Sequence, residues 1–267
     1  MSLLRECREL LKRHGVKPLK RLGQNFLVSK RALETIVNAL DPEPGETVYE
    51  IGAGLGTLTS EVARKGAIVF AVEVDPRLTS LLRKRFKGNP LVDVVLGDAL
   101  QLPVPHVSKI VSNVPYSISS KLLMKLLREP LYSFALLTLQ REFALRLVAQ
   151  PGSRDYGRLT VAAQLYADIQ VVGSLSRRAF YPQPEVDSLI VKLRPRKENL
   201  EFFTEVEHLT ASLFSQRRKK LMKVLKHVGL DPGFFSPILD LDKRVYELTP
   251  AEVLEMVKII REVHTLR

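Results

Sequence analysis

Short apolar runs alternate with longer stretches whose apolar residues recur every three or four positions, and from Thr47 onward the two kinds take turns. Thr47 to Ile51, Ala67 to Val72, Val92 to Leu96, Ser108 to Ser112 and Phe134 to Leu139 read as strands. Leu58 to Lys65, Arg77 to Phe86, Ser120 to Leu127 and Arg141 to Ala149 read as helices between them. This alternation predicts a parallel sheet covered on both faces, with right-handed crossovers. The expected core is Rossmann-like α/β.

Two helices are expected ahead of the sheet. Ser2 to His14 sets Leu3, Leu4, Leu10 and Leu11 among charges and stops at Gly15; Lys30 to Leu40 follows and ends in the turn Asp41-Pro42-Glu43-Pro44-Gly45. Beyond the break at Gln150-Pro151-Gly152-Ser153 come a helix, Arg158 to Tyr166, and two late strands, Val171 to Leu175 and Val186 to Leu193. Their Pro-rich connection suggests an antiparallel pair closing one edge of the sheet. After Arg194-Pro195-Arg196-Lys197 only helices are expected, at Phe202 to Phe214, Arg217 to His227 and Ala251 to Val263. The last starts with Thr249 as cap, Pro250 at the first helical position and Glu252 closing a capping box. The chain is thus expected to divide into residues 1–196 and a small all-α domain, 197–267.

Charge changes the picture more than hydrophobic content does. A formal net charge of +12 and a pI near 9.8 point to a polyanionic partner, with nucleic acid the first candidate. No apolar run approaches the length of a membrane span. The single cysteine, Cys7, excludes an internal disulfide, and the scattered histidines form no metal-ligand pair, so no metal is expected. The N-terminus carries no signal pattern, and a monomeric cytoplasmic protein is the expectation.

The candidate chemistry sits where strands end. Asn113-Val114-Pro115-Tyr116 follows the strand ending at Ser112. An Asn carbonyl oxygen and the carbonyl before Pro115 can accept both protons of an amino group, while Tyr116 stacks on a planar base. Such a grip leaves the nitrogen lone pair facing an electrophile. The alternative is a plain turn, with Asn capping the next helix and Pro stiffening its entry. After the first strand, Glu50-Ile51-Gly52-Ala53-Gly54-Leu55-Gly56-Thr57 opens a helix with glycines that admit a ligand to the backbone. The spacing is G-x-G-x-G, and the preceding acid would oppose a pyrophosphate; a methionine-derived sulfonium cofactor fits better than a dinucleotide. The second strand leads into Glu73, placed to accept ribose hydroxyls, and the third into Gly97-Asp98-Ala99, where Asp98 can accept the protons of an adenine amine. Each acid has a simpler role open to it as a helix cap, as Asp75 before Pro76 does. Gln24-Asn25-Phe26-Leu27 offers two amides to a small ligand.

These stretches, with Leu139-Gln140-Arg141-Glu142, Phe180-Tyr181-Pro182-Gln183-Pro184-Glu185-Val186-Asp187-Ser188 and Phe214-Ser215-Gln216-Arg217-Arg218-Lys219, resemble in order the motifs of the KsgA-type ribosomal RNA adenine dimethyltransferases. The resemblance runs from about Lys20 to Lys220. It implies a class I methyltransferase fold using S-adenosylmethionine. It further implies dimethylation at N6 of two adjacent adenines in a loop near the 3′ end of small-subunit rRNA, and a role in ribosome assembly. Carried over, the cofactor contacts fall on Asn25, Leu27, Gly52, Glu73, Asp98 and Asn113, with Gly54 in the glycine loop. The target adenine would lie between Tyr116 and Phe180, with Asn113 and Pro115 gripping its amine. Phe180 has an alternative as a core plug beneath its Pro-rich loop. One departure is Val114, where the family often has Leu; another is the sequence past Lys220, which matches poorly. Arg217, Arg218, Lys219 and Lys220, read as opening a helix against its dipole and extended by Lys223, are the expected RNA contacts. The rivals are a large-subunit rRNA methyltransferase, a non-catalytic nucleic-acid-binding factor, and a nucleotide-dependent oxidoreductase.

Overall fold

The apolar runs of the central chain lie side by side, since strands with no polar face are stable only when both faces are covered. The computed structural model describes residues 2–265. Its first half runs α1 (Leu3–Arg13), β1 (Phe26–Leu27), α2 (Lys30–Leu40), β2 (Thr47–Ile51), α3 (Thr57–Arg64), β3 (Ile68–Glu73), α4 (Pro76–Arg85) and β4 (Val92–Leu96). Next come β5 (Lys109–Asn113), α5 (Ser119–Arg128), β6 (Phe134–Gln140), α6 (Arg141–Leu147), α7 (Arg158–Tyr166), β7 (Ala167–Leu175), β8 (Phe180–Tyr181) and β9 (Ser188–Pro195). The end is helical: α8 (Phe203–Phe214), α9 (Leu221–His227) and α10 (Pro250–Thr265).

The main sheet has the order β4-β3-β2-β5-β6-β9-β7. Neighbours from β4 to β6 are parallel, and β9 lies antiparallel on β6. From β2 the chain steps outward to β3 and β4, then returns to β5 on the other side of β2, so the order reverses between β2 and β5. Crevices open at such a switch point, beyond the carboxyl ends of the strands. Val48, Val69, Ala71, Ile110 and Ala135 are fully buried in the sheet, and Leu40, Val62, Leu82 and Leu123 are equally buried on the helices.

Two features depart from the sequence expectation. First, β1 and β8 form a separate antiparallel pair, Phe26 opposite Tyr181 and Leu27 opposite Phe180. Strands of two residues have no periodicity to read. Second, the helix expected from Arg217 begins only at Leu221. The backbone of Lys220 is extended and bridges to Arg244, while the N–H groups of Leu221 and Met222 donate to the carbonyls of Lys243 and Leu241. A neighbouring segment thereby satisfies the donors at the helix start, and most of the cations are kept out of a first turn whose dipole opposes them.

By its internal contacts the chain forms two units. The first comprises the residues through Ala144 with Gln170–Pro195, and the second Leu145–Ile169 with the residues from Arg196 onward. The sequence division at 196/197 lies one residue beyond the last of these cuts and did not foresee that 145–169 belong with the helical unit; α7 groups there because its partner helices α8 and α10 do. In that unit Thr249 and Glu252 form the expected reciprocal cap, at 3.1 and 2.7 Å.

Candidate active site

The carboxyl ends of β2, β3 and β5, with the turn after β4, surround one cavity. The loop from β2 to α3 places Gly52 and Gly54 on its wall. At Gly54 the backbone has φ +59°, and a Cβ would stand 3.2 Å from the Phe26 ring, so only glycine leaves both the turn and the wall undisturbed. Leu27 and Asn25 line the same cavity from the other side, because the β1–β8 pair holds their segment against the sheet edge.

Three carboxylates reach the cavity. Glu73 is buried; its Oε2 accepts from the Gly54 N–H and its Oε1 from the Asp75 N–H, each at 2.9 Å. Burial raises its pKa, yet each oxygen keeps a lone pair for a ligand hydroxyl. Asp98 spends one oxygen on the Leu100 N–H at 2.9 Å, and the other has no partner among the described residues. Glu50 accepts a 2.6 Å hydrogen bond from the Thr59 hydroxyl. Its carboxyl is pushed up to about 8, chiefly by burial, with the Glu73 charge adding to the shift.

The Glu50 shift gives a test whose sign is fixed. The folded-state pKa lies above the ordinary 4.5, so the folded protein holds a proton that the unfolded chain has released. Its effect on stability is absent below about 4.5, and it lowers stability as pH rises toward about 8. Glu50→Gln is therefore expected to shrink the fall in cofactor-free melting temperature between about pH 5 and pH 8 by a few degrees. An unchanged pH profile would mean that the Glu50 carboxyl titrates normally.

The amide of Asn113 is oriented by its surroundings. Its Nδ2 donates to the main-chain carbonyl of Asn25 at 2.8 Å, and a carbonyl can only accept, so Oδ1 is the atom left over. That oxygen has no partner among the described residues, and Asn113 lines the cavity. Of the two carbonyls beside Pro115, that of Pro115 itself closes a turn with the Ile118 N–H at 3.0 Å. The Val114 carbonyl accepts no hydrogen bond among the described residues. It is the better second acceptor.

Gln24 does not reach out to a ligand as its position in the loop suggested. Its Oε1 accepts from the Leu19 N–H at 2.7 Å and its Nε2 donates to Asp75 Oδ2 at 2.9 Å, which moors the loop to the start of α4. Arg77 and then Gln24 hold the Asp75 carboxyl down to about 2, against its burial, and Asp75 caps α4 as expected. Gly23, with φ +62° and its Cβ position 3.3 Å from Pro115, lets the moored loop pack against the stretch that follows Asn113.

Neither ring of the aromatic pair expected around a base lines the cavity. Phe180 is only 3% exposed and packs in the core with Leu27, Leu175 and Ala179, the plug alternative. The reason is the β1–β8 pairing, which sets Phe180 opposite Leu27. What the Pro-rich stretch does supply is Ser188, whose Oγ lies 2.8 Å from the Tyr116 hydroxyl and fixes that ring. Sequence reading gave Ser188 no role of its own, and it missed Val74, an apolar side chain on the cavity wall that is 45% exposed. Val74's only signal was its place between two acids.

The expected RNA contacts separate into two kinds. Arg217 is structural: its Nη2 donates to the carbonyls of Ser153 and Arg154, and its guanidinium lies 5.6 Å from the centre of the Tyr246 ring. Lys220 pairs with Asp242 at 2.8 Å. Arg218, Lys219 and Lys223 are exposed and line a cleft of the second unit with His227 and Arg244. Among the described residues, no cluster of histidine, cysteine and acids could hold a metal, and no helix is long and apolar enough to cross a membrane.

Comparison with known proteins places these features in context. Residues 16–262 match the family model for ribosomal RNA adenine dimethylase. The chain is 40% identical over 263 residues to a probable ribosomal RNA small subunit methyltransferase A of Methanosarcina mazei, covering 95% of this chain and 96% of that one. It is 37% identical to the protein of the same name from Pyrococcus abyssi, again covering 95% and 96%. Among solved structures, a dimethyladenosine transferase from Plasmodium falciparum superposes with TM-score 0.78 at 29% identity, covering 90% of this chain and 98% of that chain. The 23S rRNA methyltransferase ErmE superposes with TM-score 0.63 at 28% identity, covering 89% and 100%.

Proposed function

This chain belongs to the ribosomal RNA adenine dimethylase family and is an rRNA adenine dimethyltransferase; from that premise we propose that it dimethylates N6 of two adjacent adenines near the 3′ end of small-subunit rRNA. The observation that carries the site assignment is the shared cavity: Gly52, Gly54, Glu73 and Asp98 line it together with Asn113. The cavity suits S-adenosylmethionine. Glu73 keeps two lone pairs for ribose hydroxyls, Asp98 has a free oxygen for an adenine amine, and the missing Cβ at Gly54 leaves room along the wall. When bound, that cofactor supplies a methyl group activated by its sulfonium.

The protein's part is to hold a base, not to remove its proton first. Asn113 Oδ1 and the Val114 carbonyl accept the two amino hydrogens of adenine, so the nitrogen lone pair points away from both acceptors and toward the cofactor side of the cavity. Tyr116, fixed by Ser188, offers a stacking face. As the nitrogen becomes cationic, the same two oxygens stabilise the growing charge, and its proton leaves afterwards to solvent. Exposed Arg218, Lys219 and Lys223 supply further RNA contact from the second unit.

Mass spectrometry of small-subunit rRNA incubated with the protein and labelled cofactor tests the reading. Two neighbouring dimethyladenines are expected, and their absence would leave a non-catalytic binding role. The ErmE likeness raises large-subunit rRNA as a second substrate, but the identity of 36–40% to proteins named for the small subunit exceeds the 28% to ErmE. Label in isolated large subunits but not small ones would reverse the choice.

The moored loop yields a separate expectation. Gln24→Ala frees the segment whose Asn25 carbonyl orients Asn113, and should lower kcat about tenfold even with saturating cofactor. Gln24→Glu should do worse, since it faces Asp75, a carboxylate charged at every working pH. A kcat equal to wild type in both would confine Gln24 to cofactor affinity.

A further inference from the structure

The cavity's own charge poses a difficulty for an RNA substrate. Its walls carry the acidic groups of Glu73 and Asp98, which suit a cationic cofactor and repel a phosphate backbone. A polyanion held against such walls needs a cationic seat close by. One cleft of the first unit has that character. It is lined by residues of the α2 start and of the segment leading into β8, among them Arg31, Arg178, Ser29, Ser174 and Ser176, and it contains no carboxylate.

Both guanidiniums are exposed, and neither has an ion-pair or hydrogen-bond partner among the described residues. Their neighbours are engaged: Lys30 pairs with Glu34 at 3.8 Å, and Arg177 donates to the Glu185 carbonyl at 3.2 Å. The hydroxyls of Ser29 and Ser176 accept from the N–H groups of Ala32 and Arg178, which leaves the hydrogen of each free to donate outward. The cleft thus offers donors and positive charge, the complement of a phosphodiester, and its volume of about 630 Å³ leaves room for the flanking sugars.

The two walls are tied together and to the active cavity. The Val28 N–H donates to the Ala179 carbonyl at 2.8 Å, next to the register that sets Leu27 opposite Phe180. Leu27 lines the cavity, and Ser29 lines the cleft two residues later. That is roughly 7 Å along an extended chain, about the distance between neighbouring phosphates of a nucleic-acid strand. We propose that this cleft seats the RNA phosphodiester backbone beside the target adenine, with Arg31 and Arg178 as its cationic contacts. The proposal rests on the rRNA-methylating function above and adds a site to it.

The test uses the full chain and a hairpin RNA carrying two adjacent adenines in its loop, with affinity measured across a salt series. Arg31→Gln combined with Arg178→Gln should weaken binding at least about tenfold at low salt. It should also make the slope of log affinity against log salt shallower by about 1.4, the loss of two single-strand phosphate contacts. Cofactor affinity, measured by calorimetry, should stay within about twofold, which also reports an intact fold. The control pair Arg83→Gln with Lys84→Gln, exposed on α4, should leave the slope near wild type. A slope unchanged in the Arg31/Arg178 variant, or lowered as much by the control, overturns the cleft while the methyltransferase reading stands. Wild-type protein that neither binds the hairpin nor methylates small subunits would remove both.

Discussion

Asn113→Ala should cut methyl transfer to under-methylated small subunits by about 10³-fold or more, while cofactor affinity falls less than about tenfold. The asymmetry follows from where the side chain is engaged. Its Nδ2 is spent on the Asn25 carbonyl, so Oδ1 is the atom presented to the cavity. Oδ1 meets positive charge only as the adenine nitrogen is alkylated, and a polar group preorganised against developing charge is worth about 10²–10³ in rate. Loss of the link to Asn25 adds disorder of the loop, which touches the cofactor side more mildly. Asn113→Asp should be similarly inactive, because it keeps an acceptor but turns a carboxylate onto the Asn25 carbonyl. Single-turnover transfer at saturating cofactor, set beside calorimetric affinity, separates the two effects. Turnover near wild type in the alanine variant would remove Asn113 from the chemistry.

The second large effect is expected at Glu73. Alanine there should weaken S-adenosylmethionine binding roughly 100-fold, since hydrogen bonds to a charged group each contribute about 1.5–3 kcal/mol. Some stability goes with it, because the Gly54 and Asp75 N–H groups lose the oxygens that now accept from them. Glu73→Gln keeps the shape and one acceptor but turns its NH2 toward one of the two N–H groups, so a loss nearer tenfold with a smaller fall in melting temperature than in the alanine variant is expected. The pair of variants therefore divides cofactor recognition from folding. Calorimetry that finds wild-type affinity in both would place the ribose contact elsewhere.

Much of this site could be read along the chain because it is built from strand ends. A parallel strand buried on both faces must be apolar, so the first polar residues after it mark the sheet edge. Glu73, Asp98 and Asn113 were found in that way, and the structure brings them to one cavity. Phe180 misled for the opposite reason. A single aromatic ring in a loop is compatible with a stack or a core, and only its pairing partner across β1 selects the core. The cationic run was misread in part because a helix pattern was extended through Arg217, whose guanidinium turns inward to carbonyls contributed by Ser153 and Arg154.

Periodicity and punctuation by themselves determined the α/β alternation and the type of residue at each strand end, because these follow from local sterics and from which faces must avoid water. Tertiary structure alone decided how those groups are aimed. The link from Asn113 to Asn25, the tether from Gln24 to Asp75, the anchoring of Tyr116 by Ser188 and the β1–β8 pair join residues 51 to 155 positions apart. No pattern within a helix or strand encodes such a distance; it is fixed only when the whole sheet closes and each buried polar atom has to find a partner.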